Sequence, residues 1–176
     1  GFIGRNKGIE TVIESLAEVV KGEPDLLYLI VGKTHPNVLA HSGEEYREYL
    51  KSLVASYHLD EHVQFVNSFV SQSDLVTYLS SRDVYVTPYV NEAQITSGTL
   101  SYAIGAGAAV VSTPYWHAKE LLAEGRGVLV EFKNPTVMAA TLAALFSNQE
   151  YRTTLRDNAR AFGKEITWKN IGLRYT

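Results

Sequence analysis

Residues 83–115 read DVYVTPYVNEAQITSGTLSYAIGAGAAVVSTPY. An apolar strand pattern opens this stretch, a Thr-Ser-Gly-Thr turn follows, and a helix rich in small residues leads into a second apolar strand. A helix that begins at Gly98 or Thr99 has unpaired amides in its first turn, and these amides together with the helix dipole favour a bound anion. Gly98 has no Cβ, so the backbone can approach a ligand closely there. The pattern therefore predicts a phosphate-binding turn between two strands.

Strand-like and helix-like segments alternate in both directions from this turn. A continuous apolar run over residues 26–31, which ends at Gly32, is typical of a parallel strand buried on both faces. The sequence therefore predicts an α/β fold, a doubly wound, Rossmann-like parallel sheet of about six strands with helices on both faces. The predicted strands are residues 1–3, which form the end of a strand, and residues 26–31, 63–66, 84–87, 110–113 and 128–132.

Cap residues stand before several of the predicted helices. Asn6 is a natural cap for a helix over residues 7–21, and Ser42 and Glu45 have the spacing of a capping box after a loop that contains Pro36. Ser71 and Asp74 signal another helix start. Asn134 and Pro135 signal the start of an Ala-rich helix over residues 136–146, and two more helices are expected to close the chain.

Length and composition exclude several classes of protein. The 176 residues, 45% of them apolar, suit one α/β domain that spans residues 1–176. A net charge of −3 argues against a non-specific nucleic-acid binder. The absence of Cys excludes disulfides and thiolate chemistry and is compatible with a cytoplasmic protein. No apolar run approaches the ~20 residues of a membrane helix.

Five blocks of sequence, in this order and spacing, resemble one family. They are GRNKGIETVIESL, LIVGK, VQFVNSFVSQSDLVTYLSSRDVYVTPY, GAGAAVVSTPYWHAKELL and GRGVLV. Together they look like a group 4 glycosyltransferase of the glycosyl transferases group 1 family, and the match is to the C-terminal half of the GT-B architecture. The resemblance covers nearly the whole chain, including a closing segment around Trp168 that is similar to the family's final helix.

The resemblance implies a domain that binds a nucleotide-diphosphate sugar. It also implies a partner domain N-terminal to Gly1, which bears the acceptor site and leaves open a peripheral association with a membrane. Known relatives transfer the sugar with retention at the anomeric carbon and need no metal or other cofactor. A metal-free transferase must stabilise the leaving diphosphate with protein cations and helix amides. Lys7, followed by Gly8, occupies the place of the family lysine that contacts the diphosphate, and Arg5 is the neighbouring guanidinium.

Two positions depart from the family pattern. The usual Arg five residues before Lys7 is Phe2 in this chain. The family also carries two Glu residues separated by seven, near the donor sugar and the ribose. One alignment places this pair at Glu92 and Leu100, and the other places it at Gln94 and Tyr102, so the second Glu is missing in both. Gln94 and Thr96 are therefore candidates to hydrogen-bond sugar hydroxyls in place of carboxylates.

No Ser-His-Asp set, paired acid and base, or metal-ligand spacing is apparent in the sequence. We therefore expect this chain to bind the donor but to be inactive alone, with chemistry in a cleft that the missing domain closes. The catalytic residues stay unassigned, except that Arg5 and Lys7 are expected to stabilise the leaving diphosphate. The candidate donor and phosphate ligands are Arg5, Lys7, Gly32, Glu92, Gln94, Thr96, Ser97, Gly98 and Thr99.

Other interpretations stay open for the site and for the whole chain. Lys7 could be a solvated lysine, Ser97 could be an ordinary helix cap, His117 is expected on the outside of a helix start, and Tyr89 and Tyr115 could line the sugar pocket or merely pack. The chain could also belong to a sugar-nucleotide epimerase of GT-B shape. A third alternative is a non-catalytic relic that acts as an interaction module.

Overall fold

The computed structural model describes residues 1–165 of the 176-residue chain. The predicted segment around Trp168 lies outside the described residues. A short 3-10 turn, Arg5–Lys7, precedes the first α-helix. The helices are α1 (Ile9–Val19), α2 (Pro36–Ser42), α3 (Glu45–Ser56), α4 (Gln72–Ser81), α5 (Gly98–Gly105), α6 (Trp116–Leu121), α7 (Pro135–Ser147) and α8 (Gln149–Glu165), and the strands are β1 (Tyr28–Val31), β2 (Val63–Val66), β3 (Tyr85–Thr87), β4 (Val110–Ser112) and β5 (Val128–Leu129).

The predicted parallel α/β fold is confirmed, with five strands in the described residues instead of about six. All strand pairs are parallel, but they form two sheets, β1-β2 and β3-β4-β5. The predicted strand end at residues 1–3 contributes a single parallel bridge, from Ile3 to Thr34 beyond the end of β1. The inner edges of β1 and β3 border a cavity of about 520 Å³.

Two apolar cores cover the two faces of these strands. Val111 of β4 points into a core that α1, α3 and α7 build, whereas its neighbour Val110 points into a core that α4, α5, α6 and α8 build. The first core contains Ile30 of β1 as well as Val111 of β4, so one layer of helices covers both sheets. Residues buried on alternate faces of one strand produce the predicted doubly wound arrangement.

Helix starts follow the cap signals only in part. Ser71 and Asn134 accept hydrogen bonds from the amides of Asp74 and Val137, as predicted. Asn6 is not the cap of α1, because the 3-10 turn ends in Gly8, which takes that position with φ 63°. Ser42 is not a cap either. It ends α2, a helix that starts at Pro36 where the sequence predicted a loop, and Glu44 precedes α3.

The helices of the described part are not suited to crossing a membrane. None of them combines the length and the apolar character that a bilayer span requires.

Candidate functional site

The first turn of α5 carries unpaired amides at the carboxyl edge of the β3-β4-β5 sheet. Ser97 is buried and caps the helix, because its Oγ accepts the amide of Leu100 at 3.3 Å. The amides of Gly98 and Thr99 have no acceptor among the described residues. An ideal Cβ at Gly98 would meet no atom within 4 Å, so packing inside the protein does not require glycine there. These features suit a backbone that approaches an anion.

Lys7 lies next to this turn. Its Nζ stands 3.9 Å from the centroid of the Tyr89 ring, and no carboxylate lies within 4.0 Å of it in the part of the chain that the structure describes. Tyr89 in turn places its hydroxyl 3.5 Å from both Ser97 Oγ and Thr99 Oγ1. The fold therefore gathers an ammonium without an ion-pair partner, a phenol and a helix N-terminus in one place. This combination attracts an anion such as a diphosphate.

The Tyr89 phenol has an unusual environment. Burial alone would raise its pKa, but hydrogen bonds with Ser97 and Thr99 and the nearby Lys7 ammonium outweigh burial and hold the pKa below its ordinary value. The ring stacks on Tyr115, with the centroids 5.1 Å apart. Tyr115 is fully buried, its hydroxyl contacts Thr87, and burial raises its pKa. The two tyrosines thus have different environments. The Tyr89 side chain lies beside Lys7, Ser97 and Thr99, whereas the Tyr115 side chain is buried in the core.

His117, in the first turn of α6, contacts the turn at Ser97. Its Nδ1 accepts the backbone N–H of Ser97 at 2.9 Å, and its own amide donates to the Gln94 carbonyl. Desolvation lowers the pKa of the imidazole, which keeps Nδ1 unprotonated and able to accept. His117 does lie at a helix start, but it is half-buried, so the prediction of an outside position was wrong.

Glu92, Gln94 and Thr96 form the loop before this turn. Glu92 is exposed and pairs with Lys119 of α6 at 2.7 Å. Gln94 is half-buried and donates its side-chain amide to the Thr96 carbonyl at 2.6 Å. Thr96 is exposed. The structure therefore brings all three to the same sheet edge as Gly98, where their contact with a sugar stays a prediction.

Two further candidates lie farther from the turn. The Arg5 guanidinium pairs with Glu45 of α3 at 2.6 Å and stands over the Tyr46 ring, so it is engaged away from Lys7 in this structure. Gly32 follows β1, and a Cβ there would lie 1.7 Å from the Gly1 carbonyl oxygen. Glycine at position 32 is thus explained by the close approach of the chain start. Roles of Arg5 and Gly32 in donor binding stay predictions.

The two positions aligned with the missing Glu have different environments. Leu100 is fully buried in the core, where a carboxylate would be unpaired. Tyr102 is one of the exposed large side chains. Neither position presents a carboxylate to the site.

Sequence reasoning missed a buried arginine at the same edge. Arg47 is 3% exposed, and its Nη2 donates to the Gly32 carbonyl and to Asn67 Oδ1, at 3.0 and 3.1 Å. Its Nε donates to Glu44. Arg47 thereby ties together the carboxyl ends of β1 and β2. The sequence pattern did not predict the burial of Arg47, because an arginine among other charged residues of a helix is ordinarily exposed.

Comparisons with known proteins show the family to which the sequence is similar. The family model described as Glycosyl transferases group 1 matches residues 1–162. An uncharacterized glycosyltransferase of Methanocaldococcus jannaschii is 27% identical over 179 residues, which cover 99% of this chain and 43% of that protein. The chain thus spans less than half the length of this relative.

Solved structures show the same fold. The C-terminal domain of a glycosyl transferase group 1 family protein from Francisella tularensis has a TM-score of 0.80 and 22% identity, covering 94% of this chain and 82% of that chain. Anabaena HepE in complex with UDP has a TM-score of 0.84 and 17% identity, covering 99% of this chain and 46% of that chain. The fold is therefore that of a GT-B C-terminal domain.

Proposed function

Because the chain belongs to the glycosyl transferases group 1 family, we propose that it is the donor-binding domain of a retaining glycosyltransferase. The full protein would transfer a hexosyl group from a nucleotide-diphosphate sugar to a glycan, lipid or small-molecule acceptor. A second domain N-terminal to Gly1, a cytoplasmic location and a reaction without metal belong to the same proposal. This chain alone would bind the donor without turning it over.

The observation that carries the proposal is the group formed by the α5 N-terminus, Lys7 and Tyr89. Departure of a nucleoside diphosphate leaves negative charge on the β-phosphate oxygens. The free amides of Gly98 and Thr99 and the Lys7 ammonium are fixed before the reaction, so they can stabilise this charge with little reorganisation. The structural neighbour HepE binds UDP, which is the same class of ligand.

The proposal assigns the sugar to residues near this anion site. Gln94 and Thr96 would contact the sugar, because their amide and hydroxyl groups can pair with sugar hydroxyls. Glu92 would reach the sugar from its ion pair with Lys119. Arg5 would have to leave Glu45 to contact the diphosphate, and an exposed ion pair of this kind costs little to break, since such pairs contribute about 0 to 1 kcal/mol.

A thermal-shift screen of nucleoside diphosphates and their sugars against the full-length protein tests the proposal. The matching donor should raise the melting temperature, because a ligand that binds only the folded state stabilises it. Lys7→Ala should abolish most of this rise. The matched control is Lys21→Ala, at the far end of α1, where Lys21 is exposed and pairs with Glu18. A full-length protein that responds to no nucleotide sugar would favour the non-catalytic alternative.

The Tyr89 hydroxyl should contribute to the same site. Tyr89→Phe keeps the ring under Lys7 but removes the hydroxyl, and we expect donor affinity to fall about three- to tenfold, the usual effect of one lost hydrogen bond. Tyr57→Phe is the control, since Tyr57 is exposed at the end of α3. Calorimetric titration of both variants with the donor found in the screen measures the difference. Equal affinities for both variants would remove Tyr89 from the site.

A further inference from the structure

Trp116, the first residue of α6, is an exposed tryptophan at the carboxyl edge of the β3-β4-β5 sheet. It is 54% exposed, although it directly follows the fully buried Tyr115. Tryptophan has a large apolar ring and is highly buried on average in folded proteins. Within residues 1–165, no other aromatic ring stacks on the indole. The ring is therefore open to a ligand.

Hydrogen bonds tie the backbone at Trp116 to the loop that precedes α5. The amide of Trp116 donates to the Glu92 carbonyl at 3.0 Å, and the amide of His117 donates to the Gln94 carbonyl at 3.2 Å. His117 also accepts the backbone N–H of Ser97 at 2.9 Å. Trp116 is therefore one residue from a direct contact with the turn that carries the candidate anion site.

Two charged groups lie beside the indole. Lys119 is three residues further along α6, so it lies on the same face of the helix as Trp116. Its Nζ contacts the Glu92 carboxylate at 2.7 Å, and both side chains are about half exposed. The surface thus combines an aromatic ring, an ammonium and a carboxylate.

This combination of groups is suited to a sugar ring. One face of a pyranose carries mainly C–H groups, and their partly positive hydrogens are attracted to the negative face of an aromatic ring. The hydroxyls around the sugar both donate and accept hydrogen bonds, so they can pair with a carboxylate and with an ammonium. A sugar could therefore use the ring and both charged groups at once.

Other classes of ligand fit the same surface less well. An acyl chain needs a contiguous apolar surface, but the Glu92 carboxylate and the Lys119 ammonium would lose water beneath it. An anionic ligand would be repelled by Glu92 and by Glu120 of α6, and the Lys119 ammonium is already paired. A neutral sugar avoids both costs.

The place of Trp116 relative to the anion site is that of an acceptor. In the proposed function the diphosphate lies at Gly98, and the donor sugar lies towards Gln94. The backbone of Trp116 bonds to Glu92, which is two residues beyond Gln94 along the loop. A ring stacked on the indole would therefore be the next group after the donor sugar.

We propose that Trp116, Glu92 and Lys119 form an acceptor subsite, in which a neutral sugar ring stacks on the indole. This inference rests on the proposed function, and it narrows the acceptor from a glycan, lipid or small molecule to a carbohydrate. The N-terminal domain of the proposed function would hold the rest of the acceptor.

Saturation-transfer difference NMR with the full-length protein tests the subsite. The probes are neutral trisaccharides of glucose, galactose, mannose and xylose, added alone and together with the nucleoside diphosphates of the thermal-shift screen. At least one trisaccharide should bind, with most of the saturation on C–H protons of one ring face, because that face lies on the indole. Transfer to none of the probes, or even transfer over the whole sugar, would overturn the proposal.

Substitutions of Trp116 give an independent readout. Trp116→Ala should raise the Kd of the bound trisaccharide at least about tenfold, whereas Trp116→Phe keeps an aromatic face and should stay within about threefold. Tyr151→Ala is the matched control. Tyr151 is 42% exposed, and its neighbour Arg152 lies 4.0 Å from Asp83, which precedes β3 at the opposite edge of the sheet. Equal affinities of Trp116→Ala and Tyr151→Ala in calorimetric titration would overturn the proposal.

Other occupants of the indole give different results in the same samples. If Trp116 packed on the N-terminal domain, Trp116→Ala would lower the melting temperature of the full-length protein and leave sugar affinity unchanged. Tighter binding of a hexose 6-phosphate than of the neutral trisaccharide would indicate an anionic ligand. Either result would overturn the proposal.

Failure of the proposed function has its own signature. A full-length protein that responds to no nucleotide sugar, but binds a trisaccharide through Trp116, would retain the sugar subsite and lose the donor function. A protein that binds a nucleotide sugar, but whose trisaccharide affinity does not depend on Trp116, would retain the donor function and lose the subsite.

Discussion

Gly98 stands at the first position of α5, with open space where a side chain would project. Gly98→Ala should leave the free energy of unfolding within about 0.5 kcal/mol of the parent, since the new methyl group meets no protein atom. Donor affinity should fall at least about tenfold, because the methyl group occupies the space where the diphosphate approaches. Denaturant unfolding and calorimetric titration of the full-length protein measure the two effects.

The control for this change lies at the other end of the same helix. Gly105 also has open space around an ideal Cβ. Gly105→Ala should stabilise the helix by roughly 0.5 to 1 kcal/mol and leave donor affinity unchanged. If Gly98→Ala also left affinity unchanged, the α5 N-terminus would not be the anion site.

His117 gives the turn a dependence on pH. Burial lowers the pKa of its imidazole below the ordinary 6.5, so the neutral ring is favoured in the folded protein. The stability that it provides is fully present above pH 6.5 and is lost as the pH falls through the lowered pKa, when Nδ1 gains a proton and can no longer accept the Ser97 amide. Glu120 is the charged group that opposes this shift.

His117→Asn separates this residue from the other titrating groups. The Asn carbonyl oxygen can accept the same amide but does not titrate. Unfolding of both proteins over a pH series that spans 6.5 should show the parent losing about 1 kcal/mol more than the variant on the acid side. Parallel curves would show that the contact between His117 and Ser97 does not govern the turn.

Individual residues differed in how far the sequence revealed them. The sequence predicted a helix start at Gly98, and α5 does begin there, whereas Lys7 became a candidate through the family resemblance; the roles of both in donor binding stay predictions. The contact between His117 and Ser97 could not be predicted, since it joins residues 20 apart through the packing of α6 against the loop. Arg47 was missed for the same reason, because its partners belong to two different strand ends.

At the scale of elements, the turn between the 3-10 segment and α1 depends on Gly8. Its φ is 63°, and a Cβ would lie 2.1 Å from the Pro88 carbonyl oxygen. Gly8→Ala should cost about 2 kcal/mol or more, from the left-handed conformation and from the clash, and should displace Lys7 from Tyr89. Thermal unfolding with and without donor measures both consequences.

Gly43 is a control for donor binding. It has φ 57° and ψ −139°, a backbone conformation that L residues rarely adopt, and nothing lies within 4 Å of an ideal Cβ. Gly43→Ala should therefore cost about 1 to 3 kcal/mol from the conformation alone and should not alter donor binding. Loss of donor binding in this variant too would mean that the effect of Gly8→Ala does not depend on the position of Lys7.

The helices show which local signals are sufficient to predict where a helix begins. Asn134 and Pro135 predicted the start of α7 correctly, because both the cap and the first-turn proline act within one turn. Pro36 was interpreted as a loop residue, although proline is equally suited to the first turn of a helix, where it starts α2. Local chemistry alone does not distinguish these two settings.

At the scale of the whole molecule, a single core spans both sheets. Ile13 of α1 is fully buried in it, together with Ile30 of β1 and Val111 of β4. Ile13→Ala should cost about 2 to 5 kcal/mol and should destabilise both sheets together. In a Trp168→Phe background, Trp116 fluorescence and far-UV circular dichroism should give the same shifted midpoint.

The outcome that would contradict a shared core is a difference between these two probes. Trp116 lies in α6, on the opposite side of the sheet from Ile13. An unchanged fluorescence midpoint with a lowered circular dichroism midpoint would mean that the two sheets unfold separately.

The overall architecture was predictable because alternating strand and helix patterns leave few topologies for a parallel sheet. The division into two sheets was not predictable. Residues 1–3 have a strand pattern, but only Ile3 forms a bridge, to Thr34 beyond β1, and nothing in the described part of the chain pairs with both β1 and β3. Pattern identifies candidate strands, whereas pairing depends on the complete set of neighbours.

The packing of α1 against α7 has a consequence for synthesis of the protein. These helices form the most extensive helix contact in the structure, yet α7 begins at Pro135, long after α1 ends at Val19. A ribosome that adds roughly 5 to 20 residues per second leaves α1 without this partner for several seconds. During that time its apolar face is open to chaperones or to other nascent chains, so slower translation before Pro135 would prolong the interval in which misassembly competes with folding.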